Sequence, residues 1–212
     1  MYSAGIDRLT HQPLSFSVSE TTEGVHIHII DAELMGKGEK EKKDLYIEGV
    51  QNNGIINHYE YIINSEGTIE IRHVLKPEGK MPLWFPRIGL TLTVSDALDQ
   101  VKWYGRGPQE NYPDRKTGYP MGIYASTVQA MYEPYLMPQD YGLRTDVRWL
   151  QLTTDKGIGL QFKMNEWFNF NIYPYSTDNL TKAMYTYQLQ KQKGMTLNLD
   201  YATTGVGCTA RG

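Results

Sequence analysis

Wherever hydrophobicity has a rhythm in this chain, the rhythm is two residues long, and that confines most of the backbone to strands. Val25-His26-Ile27-His28-Ile29 alternates, placing Val25, Ile27 and Ile29 on one face. Residues 55–63 and 68–75 flank Ser65-Glu66-Gly67, the composition of a hairpin turn, and in the second arm Ile69, Ile71, His73 and Leu75 share a face. Residues 87–94, with Leu90, Leu92 and Val94 inward, predict another strand, and 101–104 follow in the same way. Further strands are expected over 145–152 and 157–164, joined by the turn Thr154-Asp155-Lys156-Gly157, and over 185–189 and 196–201. One stretch, 176–183, reads as a helix: Ser176 or Thr177 caps it and Asp178 faces its N-terminal dipole. The expected fold is therefore all-β: a large antiparallel pair of stacked sheets with at most one or two short helices.

At 212 residues the chain can bury a sizeable core, as one β domain spanning 1–212 or as two small ones. A formal net charge of −3 leaves no basic excess to neutralise phosphates, which argues against nucleic acid as a partner. The single cysteine, Cys208, excludes an internal disulfide and a cysteine-based zinc site. No apolar run approaches the ~20 residues that span a bilayer, and Met1-Tyr2-Ser3-Ala4-Gly5 does not open a signal peptide, so no membrane partner is expected. A cytoplasmic or a periplasmic location fits equally.

The alternation breaks at residues 103–115, Trp103-Tyr104-Gly105-Arg106-Gly107-Pro108-Gln109-Glu110-Asn111-Tyr112-Pro113-Asp114-Arg115. Gly105 and Gly107 permit unusual backbone angles, and Pro108 and Pro113 fix φ, so the middle of the stretch is expected to be a shaped turn. Polar groups crowd it: Arg106, Glu110, Asn111, Tyr112, Asp114 and Arg115 are the candidate substrate-side or interdomain loop residues. The tyrosine- and proline-rich residues 116–142 that follow have little periodicity and are expected to form a long, packed excursion.

Chemistry narrows further. A retaining glycosidase needs two carboxyl groups about 5–5.5 Å apart. Glu110 and Asp114 lie four apart and could converge, but Arg106 and Arg115 beside them suggest ion pairs that pin the loop. No catalytic residue is therefore assigned. His26 and His28 share a strand face, as two metal ligands would, yet no third ligand stands at matching spacing, so neither a metal centre nor any other cofactor is expected. No serine lies in a nucleophile-elbow pattern. Among the tryptophans, Trp84, between Pro82 and Pro86, and Trp103, beside the turn, are the candidates for stacking on a sugar ring; Trp149 alternates with Val147 and reads as core.

The stretch G-R-G-P-Q-E-N-Y-P-D-R at 105–115 resembles the signature of the C-terminal small-chain domain of bacterial β-galactosidases, in glycoside hydrolase family 2. The resemblance continues in order through Lys116-Thr117-Gly118, Tyr135-Leu136-Met137-Pro138-Gln139, the run from Gly142 to Trp149, Phe168-Asn169-Phe170 and Leu197-Asn198-Leu199-Asp200-Tyr201. It implies the two-sheet supersandwich that such domains share with aldose mutarotases. It also implies that both catalytic glutamates lie on a separate barrel domain. On that reading the chain is a non-catalytic part of an enzyme that hydrolyses terminal β-D-galactosides. It supports the active site and subunit contacts, with the barrel domain and the galactoside as partners.

Two departures matter. The family's late Gly-x-Gly-Gly-Asp-Asp-Ser-Trp segment, which carries a tryptophan to the sugar, is replaced after Gly205-Val206-Gly207 by Cys208-Thr209-Ala210-Arg211-Gly212. An Arg-Ala-Pro-type entry loop is also missing before Gly5, so an excised fragment trimmed at both ends is expected. Exposed strand edges in such a fragment would favour a homo-oligomer. The competing readings are an aldose mutarotase or epimerase and a stand-alone carbohydrate-binding module. The first needs a histidine acid, but all five histidines precede residue 74.

Overall fold

The structure is a computed structural model that describes residues 9–22, 24–35, 54–79, 81 and 85–205. The chain divides near residue 84 into two compact units.

In the first unit four strands, β1 (Leu9–Thr21), β2 (Gly24–Met35), β3 (Gly54–Ile63) and β4 (Ile69–Glu78), form one antiparallel sheet in the order β1-β2-β3-β4. The expected hairpin is present. Ile63 pairs with Ile69, Gly67 takes a left-handed φ of 81°, and Asn64 Oδ1 accepts from the Glu66 and Thr68 amides at 3.1 and 3.0 Å. That asparagine oxygen, rather than glycine alone, closes the turn. The charged run 37–43 lies outside the described residues.

The second unit holds β5 (Arg87–Val94), β6 (Gln100–Arg106), β7 (Met121–Thr127), β8 (Arg144–Val147), β9 (Trp149–Thr153), β10 (Gly159–Phe162), β11 (Phe168–Tyr173), α1 (Thr177–Lys182) and β12 (Met195–Thr203). They build two four-stranded antiparallel sheets, β10-β9-β6-β7 and β5-β12-β11-β8, stacked as a sandwich. Val101, Trp103, Leu150 and Leu152 from one sheet meet Phe170, Ile172, Leu197 and Leu199 from the other in a single buried cluster. The all-β expectation holds, with three sheets where two were expected.

Several local readings are corrected. Residues 145–152 are not one strand: β8 and β9 belong to opposite sheets. Asp146 has φ 55°, and the Arg148 N–H leaves the ladder to donate to Tyr104 O at 2.7 Å, so the chain turns a corner between the layers. The corner inverts the alternation, leaving Trp149 half-buried while Leu150 and Leu152 point inward. Strand β11 was not anticipated at all. Strand β7 lies inside the supposedly aperiodic excursion, paired along β6. Residues 185–189 form a 3₁₀ turn over Thr186–Gln188 instead of a strand. Helix α1 is as expected, with Ser176 Oγ accepting from the Asn179 amide at 3.0 Å. The rest of the excursion packs through a satellite cluster of Tyr141, Tyr173 and Leu180, with Tyr132 and Tyr135 against it.

Candidate functional site

Strand β6 delivers the chain to the polar turn, and its glycines serve a different purpose from the one expected. Neither Gly105 nor Gly107 is among the left-handed glycines. A Cβ on Gly105 would fall 2.8 Å from Val147 Cγ2, and one on Gly107 would fall 2.8 Å from Tyr124 Cδ2. Gly105 lets β6 approach β8 of the facing sheet, and Gly107 leaves room for the Tyr124 ring of the neighbouring strand β7.

The turn is held by ion pairs and buried amides. Arg106 Nε donates to Asp146 Oδ2 at 2.5 Å, and its Nη1 donates to Tyr119 O at 2.9 Å. Lys116 Nζ reaches Asp146 Oδ1 at 3.0 Å. Burial alone would raise the Asp146 carboxyl, but Arg106 and Lys116 outweigh it and hold the group below the ordinary carboxylate range. Glu110 is buried. Its Oε1 accepts from Arg115 Nη2 and from the Tyr135 hydroxyl, and its Oε2 accepts from the Gly142 amide at 2.8 Å. Burial, together with that bond to Glu110, pushes the Tyr135 hydroxyl up to about 12. Asn111 is fully buried; its Oδ1 accepts from the Thr145 amide at 3.0 Å, and its own amide donates to Leu143 O at 2.8 Å. Tyr112 is buried beneath the Arg115 guanidinium, which lies 5.0 Å from the ring centre, and burial raises its hydroxyl. Asp114 is exposed on the turn, and Gly205 presses so close that an added Cβ would fall 2.0 Å from Asp114 Cγ. Arg106, Glu110, Asn111, Tyr112 and Arg115 brace the turn, and Asp114 lies where the chain after β12 passes over it.

Trp103 is corrected as a sugar-stacking candidate. It is 0% exposed, its Nε1 donates to Arg106 O at 3.0 Å, and it packs between Tyr124 at 5.5 Å and Phe170 at 5.9 Å. No ring face is left for a ligand. Trp84 lies outside the described residues. Among the described residues the exposed tryptophan is Trp167, 52% accessible, with the Arg148 guanidinium 4.3 Å from its ring. It lines an open hollow of about 450 Å³ with Pro113, Lys116, Asp146, Asn169 and Tyr201. The signal that could have found this wall is the period-two run Phe168-Asn169-Phe170-Asn171-Ile172, which places Trp167 at the start of a strand.

Behind the turn, a second polar network crosses the neighbouring strands β5, β12 and β11 of one sheet. Arg87 donates to Asp140 Oδ2 at 2.8 Å and sits 3.0 Å from Asp200 Oδ2. Asn171 Nδ2 and the Tyr173 hydroxyl donate to Asp140 Oδ1 at 2.8 and 3.0 Å. Asp200 is 1% exposed and has no well-aligned donor of its own, so burial outweighs the Arg87 charge and pushes its carboxyl up to about 7. Arg144 is buried too, with Nη1 donating to Gly142 O at 2.9 Å and its guanidinium 5.4 Å from the Trp103 ring; burial lowers it to about 10.

On the other unit, His26 and His28 do acquire a neighbour that linear spacing hid: Glu60 stands opposite His28 across the β2–β3 ladder.

Comparison with known proteins places this architecture. The family model described as Beta galactosidase small chain matches residues 8–212. A β-galactosidase of Priestia megaterium is 38% identical over 147 residues, covering 69% of this chain and 14% of that protein. A β-galactosidase of Vibrio cholerae is 31% identical over 207 residues, covering 97% of this chain and 18% of that protein. The chain spans less than a fifth of the length of these relatives.

Proposed function

This chain belongs to the β-galactosidase small-chain family, and from that premise we propose that it is a non-catalytic β-sandwich domain that supports the active site and subunit contacts of a longer β-galactosidase acting on terminal β-D-galactosides. The observation that carries the reading is the state of Glu110. Its carboxylate is spent on Arg115, Tyr135 and the Gly142 amide, inside a buried turn. A nucleophile or acid/base would need a free oxygen facing a hollow, with a second carboxyl about 5–5.5 Å away. Glu110 has the surroundings of a brace instead.

The turn also meets Gly205, the first residue of the segment that, in the resemblance, leads toward the sugar. A rigid Arg106–Asp146–Lys116 floor beneath that crossing would fix where the following residues emerge. The barrel domain of the longer enzyme would supply both catalytic glutamates. The test is deletion in that enzyme: removing this domain abolishes galactoside hydrolysis, and adding the chain in trans restores it. Unchanged kcat/KM after deletion contradicts the reading.

A second reading, a stand-alone carbohydrate-binding module, is favoured by the Trp167–Tyr201 hollow alone, since half-exposed aromatics beside Lys116, Asp146 and Asn169 suit a sugar's apolar face and hydroxyls. Calorimetry with galactose and lactose on the isolated chain separates the two: millimolar or tighter binding that disappears in Trp167→Ala supports the module.

A further inference from the structure

The sheet of the first unit carries a side-chain cluster that the proposed function does not use. His26 and His28 alternate on β2 and so project from one face. Glu60 on β3 is the cross-strand partner of His28. One ligand atom from each of the three lies within 4.8 Å of the other two. His26 Nδ1 is 3.2 Å from Glu60 Oε1, and His28 Nε2 is 3.8 Å from the same oxygen. A tetrahedral zinc ion with bonds of about 2.0–2.2 Å holds its ligands about 3.3–3.5 Å apart. These separations already bracket that value, and the half-exposed His28 has the freedom to close the third side.

The surrounding contacts orient each group. The Thr21 hydroxyl lies 3.5 Å from Gly24 O, toward which it donates, and 2.9 Å from His26 Nε2. In the tautomer that carries its proton on Nε2, His26 donates to the Thr21 oxygen and its Nδ1 lone pair faces Glu60 Oε1, the form a cation would select. Without a cation the other tautomer has Nδ1–H donating to Glu60 Oε1 at 3.2 Å, so an ion bound between them displaces that proton. Arg72 Nη1 donates to the other oxygen, Oε2, at 3.1 Å, and frees Oε1 for a ligand role. A histidine fixed through its far nitrogen and a carboxylate fixed through its far oxygen are the outer contacts that metal ligands use.

We propose that His26 Nδ1, His28 Nε2 and Glu60 Oε1 form a binding site for a zinc-class divalent cation that ties β2 to β3, with its remaining position open to solvent. Two imidazoles select zinc, nickel or copper over magnesium, which prefers oxygen ligands and keeps its water. Such a tie suits this sheet. Among its described side chains only His26, Asn57 and Ile62 are buried, so little apolar packing holds the strands in register.

The test uses the untagged full chain stripped with a chelator. Calorimetric titration with zinc gives one ion per chain, magnesium gives none, and saturating zinc raises the melting temperature. His28→Gln and Glu60→Gln each weaken zinc binding at least tenfold, while His58→Gln leaves it unchanged. Both ligand variants keep the far-ultraviolet circular dichroism of the parent chain. Absence of zinc binding, equal binding in His28→Gln and Glu60→Gln, or equal binding of magnesium overturns the proposal; the cluster is then a hydrogen-bonded chain with a proton between His26 and Glu60.

Discussion

The two units are built from the same alternating strands, yet they are stabilised differently. In the sandwich of 85–205, alternate residues of facing sheets interlock, and Trp103, Leu150, Leu152, Phe170 and Leu197 are all fully buried. In the sheet of 9–79, apolar residues alternate just as well, but Phe16, Val18, Ile69 and Val74 are each more than half exposed. The difference teaches that a period of two specifies a strand and a face, while a core requires a second sheet over that face. Where the second sheet exists, Glu110 and Asn111 are buried with hydrogen-bond partners, while Asp200 is buried beside Arg87 without a well-aligned donor and its carboxyl is raised for that reason. Where the first unit has little burial, hydrogen bonds and ion pairs such as Arg72–Glu60 lie in the open and contribute little.

The largest test of this contrast is Trp103→Ala, which removes the centre of the interlock. It destabilises the sandwich by about 3–5 kcal/mol in urea unfolding. Next comes Glu110→Ala, which strands the Gly142 amide and the Tyr135 hydroxyl and frees Arg115; the expected loss is about 2–4 kcal/mol.

A smaller effect is expected from pH. The Asp200 carboxyl titrates at about 7 in the folded chain and at about 3.9 when unfolded. The folded state therefore keeps a proton that the unfolded state has released. Stability from this group is complete below about pH 3.9 and is lost as pH rises through about 7. Unfolding measured between pH 4 and 7 should show a falling contribution, and Asp200→Asn should flatten it. The smallest effect belongs to the open sheet: Ile69→Thr, at a side chain 58% exposed, should change stability by no more than about 0.5 kcal/mol. A cost as large as that of Trp103→Ala would show that the sheet has a hidden core and would erase the contrast.

How much the sequence discloses follows the same division. Local chemistry is legible: the Asn64–Thr68 turn, the Ser176 cap and the bounds of β5 all follow from short-range rules. What is lost is set by partners far along the chain. The corner between β8 and β9 depends on a left-handed Asp146 and on a bond from Arg148 to Tyr104, neither visible in alternation. Strand β7 has mixed exposure because it lies at a sheet edge along β6, so its pattern is weak. At the site, the Glu110–Arg115 pair follows from charge proximity alone. Asp146, Tyr135 and the Gly142 amide do not, since they lie 25–40 residues away from the groups they hold. Trp103 was misleading for a related reason: proximity to a polar turn in sequence hides that β6 points its ring into the sandwich. Glu60 escaped notice beside His26 and His28 because only strand register brings it there.

The central claim is that Glu110 and its neighbours brace a turn and break no bond. The most direct test is steady-state hydrolysis of a chromogenic β-galactoside by purified chain 1–212. The account predicts no turnover above buffer at any enzyme concentration. Turnover that saturates with substrate and disappears in Glu110→Gln, with the fold retained, would contradict it.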